Sequence, residues 1–268
     1  MMLKYRLVAV DLDGTLLDSQ GCVSDYTKTT IDEYQKLGGF FTLATGRMEA
    51  SARKFARELN VNAPLITFNG GKVVSVDGET VLSEEFIDTK SAIRTYDALV
   101  ALNMDMVLYI NGAPYITTDS DVILKYIDRI KANRNKFENF ANISEPCVNK
   151  ILVVGVDLDI ELIRRTANDV GGITNCVSSD AELFEILPDN VSKDRGLIVV
   201  AEHLGIPMAE VIAVGDHFND ISMINAAGLG VAVQSAVDGA LAAADYITSS
   251  NDEDGVAKVI RKVIDGEL

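Results

Sequence analysis

Asp11 and Asp13 stand two positions apart at the end of an apolar run, VAVDLDGTLLDS (residues 8–19), with a further carboxylate at Asp18. Like charges this close repel, and taking them out of water costs several kcal/mol unless something offsets the charge. A chain keeps such a pair for a bound cation, for carboxylate chemistry, or for both. Four other stretches carry matching residue types. ATGR supplies Thr45, Gly46 and Arg47, FNGG supplies Asn69, SKDRG supplies Lys193, and GDHFND supplies Asp216, Asn219 and Asp220.

Phosphoryl chemistry needs this mixture. Magnesium takes oxygen ligands, usually one or two carboxylates completed by water and phosphate. Asp11 and Asp216 are the natural pair, and Asp220 lies one helical turn beyond Asp216, placed to bind or to orient a water. A carboxylate can also attack phosphorus and carry the group as an aspartyl-phosphate. The cation and Lys193 would then hold the charge on the phosphoryl oxygens. The Thr45 hydroxyl and the backbone N–H groups of Leu12 and Gly46 can donate to those oxygens, glycine permitting close approach.

Such a site is cationic within an acidic chain, whose 24 Lys and Arg against 40 Asp and Glu give a formal net charge of −16. That balance argues against nucleic acid or an anionic membrane as partner, since both need a basic footprint. Hydrophobic residues at 48% and charged residues at 24% read as globular protein. No apolar run approaches the ~18 residues of a membrane span, and the N-terminus carries no export signal, so a soluble cytoplasmic protein is expected. Cys22, Cys147 and Cys176 are odd in number and widely spaced, as reduced packing thiols would be.

The elements that must position these residues alternate. YRLVAV reads as a strand buried on both faces. A helix capped by Ser24 runs to Leu37, FFTLAT is a second strand, a helix spans about 48–59, and LITFNG is a third strand. This βαβαβ order predicts a parallel, doubly wound, Rossmann-like sheet. Asp77-Gly78 signals a type I′ hairpin. Beyond residue 82 the pattern changes: a helix at 88–102, strands MVLYI and PYITT joined by Asn111-Gly112-Ala113, and a helix at 120–134. Strand ILVVGV, a helix near 159–170 and strands at 173–178 and 182–187 follow. Alternation then resumes with a helix at 192–204, strand VIAVGD, a helix at 218–227, strand LGVAV, a short Ala-rich helix, strand YITSS and a final helix from Gly255. The fold class is therefore α/β, with a mostly parallel core at 1–82 and 188–268 and an inserted α+β cap at 83–187. In open α/β sheets ligands bind beyond the carboxyl ends of the strands, and every stretch named above falls there or, for Lys193, at a helix start.

DLDGT, TGR, SKDRG and GDHFND, in this order and spacing, resemble the four motifs of the haloacid dehalogenase superfamily, and LATGR, NGG and GDxxNDxxMI resemble its Cof-type phosphatases. The likeness spans nearly the whole chain. It implies that Asp11 is the nucleophile and a Mg²⁺ ligand, and that Asp13 is the general acid and base and a ligand through its backbone carbonyl. It further implies that Thr45 and Lys193 bind the phosphoryl group with help from Asn219, that Asp216 ligates Mg²⁺ and that Asp220 supports it. Asp13 would protonate the leaving alcohol and then deprotonate the water that releases phosphate. His217 departs from the family's usual small or amide residue and receives no role.

Arg47 fits either a salt bridge at the sheet edge or a substrate contact. Asn69 reads as a polar orienter near the phosphate, and Asp18 and Asp194 as surface acids. His203 reads as structural, and Met104, Met106, Tyr109, Tyr115 and Phe137 of the insert as core. The expected function is Mg²⁺-dependent hydrolysis of small phosphorylated metabolites, sugar phosphates foremost. A phosphomutase or a non-hydrolytic phospho-acceptor module are the rivals, though a receiver domain would be half this length and lack the insert. The turn at 111–114 and the 178–185 region are candidate substrate-facing elements.

Overall fold

A computed structural model describes residues 3–268, the side chain of Asp180 excepted. The chain divides into two compact units, Met1–Glu84 with Ser192–Leu268, and Glu85–Val191. Those divisions lie two and four residues beyond the sequence positions 82 and 187.

The first unit opens with β1 (Leu7–Val10), α1 (Asp25–Lys36), β2 (Phe40–Leu43), α2 (Glu49–Glu58), β3 (Leu65–Thr67), β4 (Lys72–Val74) and β5 (Val81–Glu84). The second contains α3 (Thr89–Ala101), β6 (Met106–Ile110), β7 (Ala113–Ile116), α4 (Asp121–Ile130), β8 (Asn135–Lys136), β9 (Val148–Val154), α5 (Ile160–Thr166), β10 (Cys176–Asp180) and β11 (Leu183–Ile186). The first then resumes with α6 (Lys193–Leu204), β12 (Val211–Gly215), α7 (Ile221–Ala226), β13 (Leu229–Val233), α8 (Asp238–Ala243), β14 (Tyr246–Thr248) and α9 (Gly255–Asp265).

In the first unit the strands run in the order β14-β13-β12-β1-β2, all pairs parallel. Alternate residues of the apolar strands face opposite layers. Val8, Val10, Ile212 and Val214 pack with Ile31 and Tyr34 of α1 and Val256 and Ile260 of α9. Leu7, Ala9, Val211 and Ala213 pack with Leu197 and Val200 of α6 and Met223 of α7. Burying one such side chain stabilises the fold by about 1.5–3 kcal/mol, so the continuous apolar strands demand helices on both faces. The result is the doubly wound sheet. Its register sets Val10 opposite both Leu43 and Val214, so β1, β2 and β12 end level and deliver residues 11, 44 and 215 to one edge. β3 joins through a parallel bridge between Ala44 and Ile66, then continues antiparallel into β4 and β5.

The Asp77-Gly78 turn differs from expectation. Gly78 has φ +82° but Asp77 does not share a positive φ, which a type I′ turn requires at both positions. The Gly78 N–H donates to Ser75 O at 2.8 Å, and the Asp77 carboxylate accepts from the Ser75 hydroxyl and the Glu79 N–H, holding a four-residue turn.

The second unit carries a six-stranded sheet, β10-β11-β9-β6-β7-β8. Its type I′ turn is Asn111-Gly112, with φ +52° and +77°, and Ala113 already pairs with Ile110 as strand rather than loop. The helix expected over 120–134 ends at Ile130 because Lys131 adopts the left-handed conformation, and β8 follows unannounced by any periodicity. Met106 and Phe137 lie in the core, with Met104 and Tyr115 packed against it. Tyr109 is buried on the other face, its hydroxyl 2.6 Å from that of Tyr126, beside the buried Lys150–Glu185 ion pair at 2.6 Å. Among the described residues no helix is long and apolar enough to cross a membrane.

Candidate active site

Asp11 extends β1 by one residue: its N–H donates to Val214 O at 3.0 Å, so its carboxylate stands at the carboxyl edge of the sheet. The chain then turns back, the Leu16 and Leu17 N–H groups donating to Asp11 O and Leu12 O at 3.2 and 2.9 Å. Gly14 makes this turn at φ +81°, and a Cβ there would lie 2.5 Å from Asp216 Oδ2. Glycine is required on both counts. Thr15, which the sequence reading left without a role, is buried and donates its hydroxyl to Asp216 Oδ1 at 2.6 Å. Its place four residues after Asp11, in the turn that returns toward β12, was the available signal.

Lys193 opens α6 and is fully buried. The Phe68–Gly71 turn after β3 seats that helix start: a Cβ on Gly70, at φ +95°, would come 2.1 Å from Ser192 O. The Lys193 ammonium sits 2.5 Å from both Asp11 Oδ1 and Asp220 Oδ1. Burial pulls its pKa down, but Asp11 and Asp220 outweigh burial and hold it charged. Asp220 spends its other oxygen on the N–H groups of Asp216 and His217, each at 3.0 Å, which locks the loop after β12.

One carboxylate oxygen from each of Asp11, Asp216 and Asp220 lies within 4.8 Å of the others. Were all three ionised, they would leave two negative charges uncompensated by the Lys193 ammonium. Burial, only partly offset by Lys193, with repulsion from Asp220, Asp216 and Asp13, pushes the Asp11 carboxyl well above the ordinary carboxylate range. Burial and then repulsion from Asp220 push Asp216 up to about 7. An all-oxygen donor set with two uncompensated charges fits a divalent cation. Gly14→Ala should displace the Asp216 carboxylate and weaken divalent-cation binding about 10–100-fold, as loss of ligand orientation does. Titration calorimetry measures this, and an unchanged affinity would contradict the account of that turn.

A sequence profile of the haloacid dehalogenase-like hydrolases matches residues 8–260. The chain belongs to this family. Within it the chain is of the Cof type and a phosphoric monoester hydrolase. It is similar to the stress response protein YhaX of Bacillus subtilis, 30% identical over 96% of this chain and 92% of that one. The 5-amino-6-(5-phospho-D-ribitylamino)uracil phosphatase YcsE of the same organism is 31% identical over 96% of this chain and 94% of its own. A crystal structure of a haloacid dehalogenase-like hydrolase from Bacteroides thetaiotaomicron superposes with a TM-score of 0.86 at 29% identity, covering 97% and 99% of the two chains.

Around the hydrolase's acidic cluster stand the remaining residues singled out in the sequence. Thr45 is buried two residues beyond β2, and its hydroxyl oxygen accepts from the Arg47 N–H at 3.1 Å. Asn69, buried and at φ +57°, accepts at Oδ1 from Asn219 Nδ2 at 3.0 Å, so the two amides orient one another. Asp13 is exposed and forms a two-pronged ion pair with Arg47, Nε to Oδ2 at 2.7 Å and Nη2 to Oδ1 at 2.5 Å. Arg47, read in the sequence as either a salt bridge or a substrate contact, makes this ion pair in the structure.

Asp18 is half-buried and organises its own loop, accepting at Oδ1 from the Gln20 and Cys22 N–H groups at 2.9 Å. Asp194 is not a plain surface acid: its Oδ1 is buried in the first turn of α6. His203 is exposed in the last turn of that helix.

Proposed function

We propose that this hydrolase is a cytoplasmic, Mg²⁺-dependent phosphatase of small phosphorylated metabolites, sugar phosphates foremost, working through an aspartyl-phosphate at Asp11. The observation that carries the reading is the Lys193 ammonium set between Asp11 and Asp220 beside Asp216. It offsets part of the burial that pushes Asp11 toward its neutral form, and it holds that carboxyl at the edge where phosphate would sit. Asp11, Asp216 and Asp220, with the Asp13 backbone carbonyl, would hold Mg²⁺, which supplies positive charge opposite the phosphoryl oxygens. Lys193, the Thr45 hydroxyl, the Leu12 and Gly46 N–H groups and Asn219 grip those oxygens. An Asp11 oxygen attacks phosphorus in line with the leaving alkoxide, which takes a proton from Asp13. Water then attacks the aspartyl-phosphate and gives a proton back to Asp13, restoring both aspartates.

The inserted unit is assigned the choice of substrate. In support, it contains a polar cavity of about 350 Å³ lined by Asn111, Tyr115, Lys136, Asn139 and Asn142, a chemistry suited to hydroxylated leaving groups. Release of inorganic phosphate from a panel of sugar phosphates, nucleotides and 5-amino-6-(5-phospho-D-ribitylamino)uracil, with Mg²⁺ and with a chelator, tests the reading. Metal-dependent turnover of at least one ester is expected, and failure on all of them would contradict it.

Metal binding should also be proton-linked. Asp216 is raised to about 7, so in the metal-free enzyme it holds a proton below that pH, and a cation must displace it. Affinity is therefore expected to rise as pH climbs from 6 to 8, with proton release near pH 7. Calorimetry in buffers of different ionisation enthalpy reads the released protons, and a pH-independent affinity over that interval would contradict the assignment.

A further inference from the structure

We propose that Arg47 is a positioning residue that acts through Asp13, fixing where the proton is handed over, and does not grip the phosphoryl group. The inference rests on the phosphatase reading above and adds a role to it.

The argument starts from how exposed Asp13 is. Its carboxylate stands on the turn after β1 with the side chain 59% exposed, and among the described residues its hydrogen bonds come from Arg47. Without that partner an aspartate on a solvent-facing turn is free to sample its rotamers. A proton transfer tolerates little of this, because donor and acceptor must come within about 3 Å. Arg47 is itself anchored. Ser51 and Phe55 follow it at intervals of four and line one face of α2, so the arginine arm lies along that helix. Nη1 reaches Ser51 Oγ at 3.4 Å, and the guanidinium carbon lies 5.1 Å from the Phe55 ring centroid. The backbone is pinned as well, the N–H donating to Thr45 Oγ1 and the carbonyl accepting from the Phe68 N–H at 3.1 Å each.

The planar guanidinium recognises oxyanions through paired edges, Nε with Nη2 and Nη1 with Nη2. Asp13 occupies the Nε and Nη2 edge, and Nη1 points to Ser51 on α2. The structure therefore sets Arg47 on the Asp13 carboxylate, the form that takes a proton from the attacking water and is thereby ready to give one to the next leaving oxygen. As an exposed ion pair it contributes little stability, which leaves orientation as its consequence.

The test compares kcat/KM for an alkyl phosphate from the active panel with that for p-nitrophenyl phosphate. This ratio reports the steps up to departure of the leaving group, and nitrophenolate leaves without a proton. Arg47→Met should lower kcat/KM about 10²-fold for the alkyl ester and less than about threefold for the aryl ester. In the background of Asp13→Asn, Arg47→Met should cause no further loss. Equal losses on both esters would mark Arg47 as a phosphate ligand, and a further loss in the Asp13→Asn background would mark an effect not carried by Asp13. Either overturns the inference and leaves the phosphatase reading intact. Wild-type enzyme that hydrolyses neither ester overturns both.

Discussion

Asp11→Asn is expected to lower kcat/KM by at least about 10⁴-fold while leaving the fold intact, as loss of a nucleophile does. The amide matches the carboxylate in shape but cannot carry the phosphoryl group. Its effect on stability should run the other way. Burial and the repulsion of Asp220, Asp216 and Asp13 make the ionised Asp11 carboxylate unfavourable in the metal-free chain. Lys193 keeps Asp220 as a partner after the change. The metal-free variant should therefore melt at or above the wild-type midpoint. Substantial residual turnover would remove Asp11 from the centre of the mechanism.

Lys193→Met has the largest expected effect on stability. It removes the cation from between two buried carboxylates, and breaking a buried pair in this way costs about 3–5 kcal/mol. The loss must depend on pH with a definite sign. A carboxyl whose pKa is raised by folding opposes the folded state once it ionises, and the penalty fades as pH falls and the proton returns. Without Lys193 the carboxyls of Asp11 and Asp216, already raised, rise further. The gap in thermal midpoint between variant and wild type, both stripped of metal, should thus be widest near pH 8 and narrow toward pH 5. A gap that stays constant or widens on acidification would contradict the charge accounting at this site.

Much of the site was legible because parallel pairing converts sequence into position. β1, β2 and β12 are apolar runs that end in Asp11, Thr45 and Asp216 or just before them, and a parallel sheet in register must bring such ends to one edge. The helices on both faces followed from strands with no polar side. Side-chain partners were less legible. Nothing in the spacing of Asp13 and Arg47, 34 positions apart, reveals that one clasps the other, or that Thr15 reaches across to Asp216.

Turns show the same limit. Asp77-Gly78 and Asn111-Gly112 carry equivalent signals, yet only the second forms the type I′ turn. At the first, the Ser75 hydroxyl and the Glu79 N–H compete for the Asp77 carboxylate and stabilise a different turn. Asp194 looked like a surface acid because a helix start is normally solvated, whereas the start of α6 is packed closely against Gly70.

The central claim is that Asp11 becomes phosphorylated during turnover. The most direct measurement is to quench the enzyme in acid while it hydrolyses a substrate in the presence of Mg²⁺, reduce it with borohydride and sequence its peptides by mass spectrometry. Reduction of an aspartyl-phosphate leaves homoserine. Homoserine at position 11 is the predicted result, and unmodified Asp11 during steady turnover, or homoserine at Asp216 in its place, would contradict the mechanism.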